Sequence, residues 1–362
     1  MINRRVITVL IISIASGLPL LLSGQTLQAW YTQAGVGLVG VGSLSLVGLP
    51  YLLKFIWAPL VDRFSIKGFA SHQGWMLVTQ VCIIISIVLM AYLTPLNNAT
   101  LMAADALLLA FASASQDIVI NSYSVEILSD SERGIGASML FLGYRLGMLL
   151  SGALALVVAD MFGFSLTYIL MAILMLIVSV YTFYLPKVEI QSNKPETISQ
   201  AVILPIKQFF SRDRVMWLLA LIVLYKLSDS MAFNMNIPFL LRHIGFSMRQ
   251  VGEINKTVSL FGMLLGSVIA GAWITRMGLY RALWVFGVMQ IVSNVGYMWL
   301  ALVGKNVELM ALTFFIEYFC SGMATVALVA LMMTLCDKRY SATQYALYTA
   351  LMGLPRVLLG PV

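Results

Sequence analysis

Five ionisable side chains sit deep inside long apolar runs of this sequence: Asp117, Arg145, Lys226, Asp229 and Arg356. A charge at the centre of a bilayer costs roughly 3 kcal/mol or more, so each needs a partner, water or a task. Counted from the basic end of its run, they stand 10, 12, 12, 15 and 13 residues in, in that order. At about 1.5 Å of rise per residue, this puts all five within roughly 8 Å of one another in depth. A carboxylate in such a place feels burial and a neighbouring cation pulling its proton affinity in opposite senses, which suits a proton carrier. A cation there can hold an anionic solute. Asp117 and Asp229 are therefore the expected proton-coupling residues, and Arg145, Lys226 and Arg356 the expected cationic contacts of a substrate.

The neighbouring residues share these faces. Ser113, Asp117, Asn121 and Ser124 recur at helical spacing with Gln116 beside them, and Lys226, Asp229, Phe233 and Asn236 repeat the pattern. Gln116 and Asn121 join the substrate-binding set, with Gln25 and Gln28 of the first run, whose amides suit a sugar or peptide and equally suit a neighbouring helix. Gly143, Gly147 and Ser151 form a small-residue seam for close helix packing, and Arg145 points away from it. Two structural readings compete: Lys226 with Asp229 as an i, i+3 ion pair, and Arg145 as a clamp on Asp117. Asp62, Arg63, Lys256 and Glu317 are read as gating or structural charges. Lys54 is read as snorkelling to an interface, Asp105 as wet at a span end, and Trp30 and Trp75 as interface anchors.

The elements that must position these groups are membrane spans. The chain is 60% apolar, 10% charged and has a mean hydropathy of +0.94, against roughly 45–50% and about 25% in soluble proteins. Apolar runs fall at 6–30, 40–61, 75–94, 100–127, 134–159, 163–185, 214–241, 250–275, 280–303, 308–335 and 343–362. Eleven runs of about 20 residues or more predict a polytopic all-α membrane protein. With the N-terminus in the cytoplasm, 14 basic residues fall on that side, 3 on the outer side and 5 within runs, a strong positive-inside bias. The net charge of +7 is spread over short loops, which speaks against nucleic acid as a partner; the bilayer is the expected environment, and the expected state is a monomer.

A polar stretch at 186–213 divides the chain. Residues 1–185 read as a six-helix bundle, 186–213 as a cytoplasmic linker whose second part can lie on the membrane surface, and 214–362 as a second bundle of about five spans, incomplete against the first. The halves echo each other. Ser45-Leu46-Val47-Gly48 precedes Asp62-Arg63, and Ser259-Leu260-Phe261-Gly262 precedes Thr275-Arg276; Trp75 and Gln80 follow the first pair, Trp284 and Gln290 the second. Such duplication is a mark of transporters built from two pseudo-symmetric halves. No GxxxxGK[ST] loop, HExxH or CxxC spacing occurs; His72 and His243 fall in expected loops, and Cys82, Cys320 and Cys336 lie in or beside apolar runs. The reading is therefore a carrier, not an enzyme, with no cofactor and no metal, driven by an ion gradient.

Several motifs resemble the AmpG muropeptide permease family of the major facilitator fold. They are Ala15-Ser16-Gly17-Leu18-Pro19-Leu20 with Thr26-Leu27-Gln28-Ala29-Trp30, Lys54-Phe55 with Pro59-Leu60 and Asp62-Arg63, Ser113-Ala114-Ser115-Gln116-Asp117, Glu132-Arg133-Gly134, Gly143-Tyr144-Arg145-Leu146-Gly147, Tyr225-Lys226-Leu227 with Asp229, Asn255-Lys256-Thr257 and Ser341-Ala342-Thr343-Gln344. The resemblance implies proton-coupled import of anhydromuropeptides (N-acetylglucosaminyl-anhydro-N-acetylmuramic acid with or without peptide) from periplasm to cytoplasm across the bacterial inner membrane. It also implies alternating access, a role in cell-wall recycling and a link to β-lactamase induction. The family carries a second acid where Asn121 stands, which puts identical coupling in question. The alternatives are a carrier of another small solute on the same fold and a non-transporting, receptor-like paralogue.

Overall fold

The computed structural model describes residues 3–66, 68–186, 197–211 and 215–358, and among these every regular element is helical. Each of the eleven apolar runs carries helix, and among the described residues eight helices are long and apolar enough to cross a membrane. In chain order the helices are α1 (Arg4–Gln33), a broken α2 (38–63), α3 (Ser71–Tyr92), α4 (Pro95–Ile127), α5 (Arg133–Phe162), α6 (Phe164–Thr182), the short α7 (Ile198–Phe210), α8 (Val215–Pro238), α9 (Met248–Met277), α10 (Leu279–Val303), α11 (Val307–Leu335) and α12 (Ser341–Leu358). In hydrocarbon a helix is the form that pairs every backbone N–H and C=O within its own segment.

Local sequence sets where the helices start and break. Asn3 caps α1, its side chain accepting from the Val6 N–H at 3.1 Å. Pro19 lies inside α1, and the helix is interrupted at Gly24 (φ −109°, ψ −108°) before resuming over Gln25–Gln33. The second run is not one helix. Glycines 40, 42 and 48 and Pro50 and Pro59 divide it into Leu38–Ser43, a 3-10 turn Leu44–Gly48, Leu49–Leu53, a 3-10 turn Lys54–Ile56 and Ala58–Arg63. α5 carries a π-helical turn at Leu150–Leu154, and α8 runs into another at Phe239–Ile244, closed by Gly245 in the left-handed region (φ 82°).

Two compact units emerge. The first comprises Met1–Leu128, Leu142–Gln208 and Cys336–Leu347; the second comprises Ser129–Phe141, Phe209–Leu335 and Tyr348–Val362. In the first, α1, α3, α4 and α6 share a core that includes Leu18, Leu22, Ile83, Met90, Leu109, Tyr168 and Met175. Trp30 belongs to that core and stacks on Phe164 at 5.2 Å, so it is not an interface anchor. Asp105, expected to be wet, is buried. In the second unit, Leu240, Phe246, Val251, Leu300, Met310 and Phe314 pack together. The outward faces remain apolar: Ile85, Leu107, Ile177, Val268 and Met298 are all exposed, as lipid-facing side chains are.

Helix association without water relies on close packing rather than on the hydrophobic effect, and the α1–α5 crossing shows it. A Cβ on Gly17 would run into the Tyr144 carbonyl, one on Gly143 into the Leu10 carbonyl and one on Gly147 into the Ile14 carbonyl. Thr26 Oγ1 closes the crossing by donating to the Ser151 carbonyl at 2.6 Å. Gly147→Val is expected to push the two backbones apart and lower stability by about 1–3 kcal/mol, read as a fall in thermal unfolding temperature in detergent. An unchanged midpoint would contradict this packing.

Candidate functional site

The first unit buries an ion pair between α2 and α4. Asp117 projects from the C-terminal half of α4, and its Oδ2 accepts a short, direct bond from Lys54 Nζ. Ser16 Oγ of α1 donates to the other carboxylate oxygen at 2.7 Å. The two charged side chains are 14% and 8% exposed, Asp117 being the wetter. Tyr51, Tyr144 and Tyr345 lie within Coulombic reach of the same carboxylate. Trp57 Nε1 donates to Ser115 Oγ at 3.1 Å, tying the α2 segment beside Lys54 to α4.

The broken course of α2 places the ammonium here. The 3-10 turn Lys54–Ile56 ends one helical segment before Ala58-Pro59 starts the next, and Lys54 is buried rather than snorkelling. Asp117's hydrogen-bonded partners are thus Lys54 and Ser16, not Arg145, whose Nη1 donates instead to Met148 Sδ at 3.9 Å. Beside Asp117, Gln116 is fully buried, and neither its Oε1 nor its Nε2 has a partner among the described residues. Asn121 is buried one turn on, while Gln25 is exposed and Gln28 half-buried in the last segment of α1.

A second cluster holds the start of α12. Asp62 accepts from the Ala342 N–H at 3.0 Å, the Thr343 N–H at 2.8 Å and Thr343 Oγ1 at 2.5 Å. One buried carboxylate thereby caps the first turn of a helix 280 residues further along the chain. Next to it Ser341 Oγ donates to Glu126 Oε1 at 2.8 Å and meets Ser122 Oγ at 2.6 Å, and Ser122 in turn meets His72 Nε2 at 2.9 Å. His72 is not in a loop: it lies in the first turn of α3 and is buried. Arg63 turns away from Asp62 and lies over the Phe64 ring at 4.9 Å.

In the second unit Lys226 Nζ donates to Thr325 Oγ1 of α11 at 2.8 Å. Glu317 of α11 is buried, bonded by the Tyr297 hydroxyl and by Asn236 Nδ2 at 3.3 Å. The side chains of Asp229, Lys256 and Arg356 lie outside the described residues. Among the described residues no group of histidines, cysteines and carboxylates could hold a metal ion.

A family model described as Major Facilitator Superfamily matches residues 3–360. The anhydromuropeptide permease of Escherichia coli K12 is 44% identical over 354 residues, covering 98% of this chain and 72% of the relative. The chain belongs to the AmpG permease family of the major facilitator superfamily. An uncharacterized Haemophilus influenzae protein is 36% identical over 95% of the chain and 84% of its own length. Among solved structures, the transporter FucP in its outward conformation superposes with a TM-score of 0.73 at 13% identity, covering 98% of this chain and 90% of FucP; the proton:xylose symporter XylE gives 0.67 at 12%, covering 98% and 86%. These fix the fold as the all-α major-facilitator fold. The AmpG-family chain is a multi-pass membrane protein of a permease family and not an enzyme.

Lys54 and Ser16 are what sequence reasoning underrated at this site. The signal was present: Lys54 is a lone cation in a run broken by Gly48, Pro50 and Pro59, where helical periodicity cannot assign a face.

Removing one member of a buried pair leaves an uncompensated charge, which costs about 3–5 kcal/mol in buried sites. Lys54→Met alone is expected to destabilise the protein by about that amount, and Lys54→Met with Asp117→Leu to recover most of it; a double-mutant cycle by thermal unfolding in detergent reads the coupling, and purely additive effects would refute the pair. Asp62→Ala should lower stability by about 1 kcal/mol through loss of the α12 cap, measurable in the same assay, and an unaltered midpoint would show the cap to be dispensable.

Proposed function

We propose that the chain imports anhydromuropeptides from periplasm to cytoplasm across the bacterial inner membrane, N-terminus inside, in symport with protons and by alternating access. The buried Lys54–Asp117 pair is the observation that carries the coupling part of this reading, and kinship to the Escherichia coli permease supports the substrate class.

The mechanism follows from electrostatics. While Asp117 is ionised it holds Lys54, and the ammonium is unavailable to anything else. Protonation of Asp117 removes that claim, and Lys54 is freed to meet an anionic group. An anhydromuropeptide supplies one in its lactyl or peptide carboxylates, and its sugar hydroxyls suit the amides of Gln116, Gln25, Gln28 and Asn121. Arg145, Lys226 and Arg356 are further cations for the same carboxylates, and Asp229 is a second proton acceptor. Departure of the proton towards the cytoplasm restores the Lys54–Asp117 bond and expels the substrate's carboxylate. Proton and anionic solute are thereby bound together or not at all, which is the requirement of symport. Asp62, Arg63, Lys256 and Glu317 serve the conformational exchange. Import of this kind returns cell-wall fragments to the cytoplasm, where they feed recycling and β-lactamase induction.

Proteoliposomes with an imposed pH gradient test this. Wild-type protein is expected to concentrate labelled N-acetylglucosaminyl-anhydro-N-acetylmuramic acid, and Asp117→Asn to lose gradient-driven uptake at least about tenfold, as general acid–base groups do when removed, while still exchanging internal for external label. Lys54→Gln should lose both uptake and exchange. Undiminished concentrative uptake by Asp117→Asn would overturn the proton assignment, and no uptake by wild type would overturn the substrate.

A further inference from the structure

In the first unit α3 and α4 meet along a contact that carries one polar mismatch. Asp105 of α4 is 5% exposed, both of its carboxyl oxygens are closed off from the surface, and neither has a hydrogen-bond partner among the described residues. Ser86 of α3 is 1% exposed, and its hydroxyl is equally closed off and unbonded. The two face each other, Ser86 being the side chain that acts on the Asp105 carboxyl. The residues beside them in sequence are apolar: Ile83, Ile87 and Met90 of α3 and Met102, Ala106 and Leu109 of α4 are fully buried in one core.

An acid ionised here would have no compensation. Among the described residues no charged side chain acts on Asp105. The titratable side chains of this core are the phenols Tyr31 of α1 and Tyr168 of α6, which spend their hydroxyls on the Ala99 and Leu22 carbonyls, each at 2.7 Å, with Tyr51 of α2 at its edge. Cys82 of α3 is exposed. The next carboxylate on α4 is Asp117, roughly 18 Å further along the helix, and it already holds Lys54. An unpaired carboxylate in such a medium costs more than giving up the charge, so the group takes a proton instead. A neutral carboxyl fits the place: it offers one O–H donor and a carbonyl acceptor without a charge.

We propose that Asp105 is a proton-binding site, held in the folded protein as the neutral acid and bonded to Ser86 across the α3–α4 contact. It differs in kind from Asp117. That carboxylate has a cation against it and keeps an open edge, whereas Asp105 has neither, so its proton stays with the fold. The inference goes beyond the transport reading and is independent of the solute carried.

Infrared spectroscopy of the full chain in detergent reads the charge state directly. The carbonyl stretch of a protonated carboxyl should be present at neutral pH in the wild type and absent from Asp105→Asn, or from Asp105→Leu should the first variant fail to accumulate. Ser86→Ala keeps the acid but removes its bonding partner, and should move that band to higher frequency. Thermal unfolding supplies an independent check. The unfolded chain sheds this proton near about pH 4, the ordinary range of an aspartate, while the folded chain keeps it. Folding of the wild type should therefore weaken relative to Asp105→Asn as the pH rises from about 4 towards neutrality, by up to about tenfold in the folding equilibrium per pH unit. Three results would overturn the proposal: no protonated-carboxyl band that Asp105 accounts for, a band unmoved by Ser86→Ala, or unfolding midpoints of wild type and variant that run parallel across this pH range.

Discussion

A carboxylate and an ammonium held against each other in the middle of a membrane protein constrain everything around them. Neither charge can be left there alone, because hydrocarbon has nothing with which to solvate it. The Lys54–Asp117 pair therefore requires that the α2 segment bearing the ammonium and the C-terminal half of α4 stay in register, and that α1 bring Ser16 to the remaining carboxylate oxygen. The 14% exposure of Asp117 matters as much as the bond. A wholly dry pair is a fixture, whereas this one keeps one edge open to its surroundings.

Register is supplied by backbone rather than by bulky side chains. The glycines at 17, 143 and 147 let α1 and α5 meet carbonyl to Cα, and such a seam tolerates little sliding. The stretches of α1 and α4 that carry Ser16 and Asp117 are continuous helix and face α2, which the glycines and prolines break into short segments. The resulting division of labour is a stiff scaffold carrying Asp117 and Ser16 and a jointed element carrying Lys54. A jointed carrier of the cation is what the proposed opening and closing of the pair would call for.

Much of this was legible in the sequence because hydrocarbon allows few solutions. Apolar runs of spanning length and the Gly143–Gly147–Ser151 seam follow from period and composition. What escaped was what periodicity cannot encode. Lys54 looked like a snorkelling lysine because the second run was read as one helix, and its partner lies 63 residues away. His72 looked like a loop residue because α3 starts earlier than its apolar run. Trp30 looked like an interface anchor, yet its ring stacks on Phe164 in the core. In each case a contact between helices decided the role, and one sequence holds no record of which helices touch.

The cap that Asp62 places on α12 has a consequence for biogenesis. Thr343 follows Asp62 by 281 residues, so at about 5–20 residues per second the ribosome finishes the acceptor's partners roughly 15–60 s after the acceptor itself. During that interval a carboxylate destined for burial waits without its intended donors, next to a membrane already holding most of the helices. Until those donors arrive, the carboxylate needs water or another partner to satisfy it. Seating of α12 then withdraws it from solvent, and insertion of that helix becomes a late, checkable step in maturation.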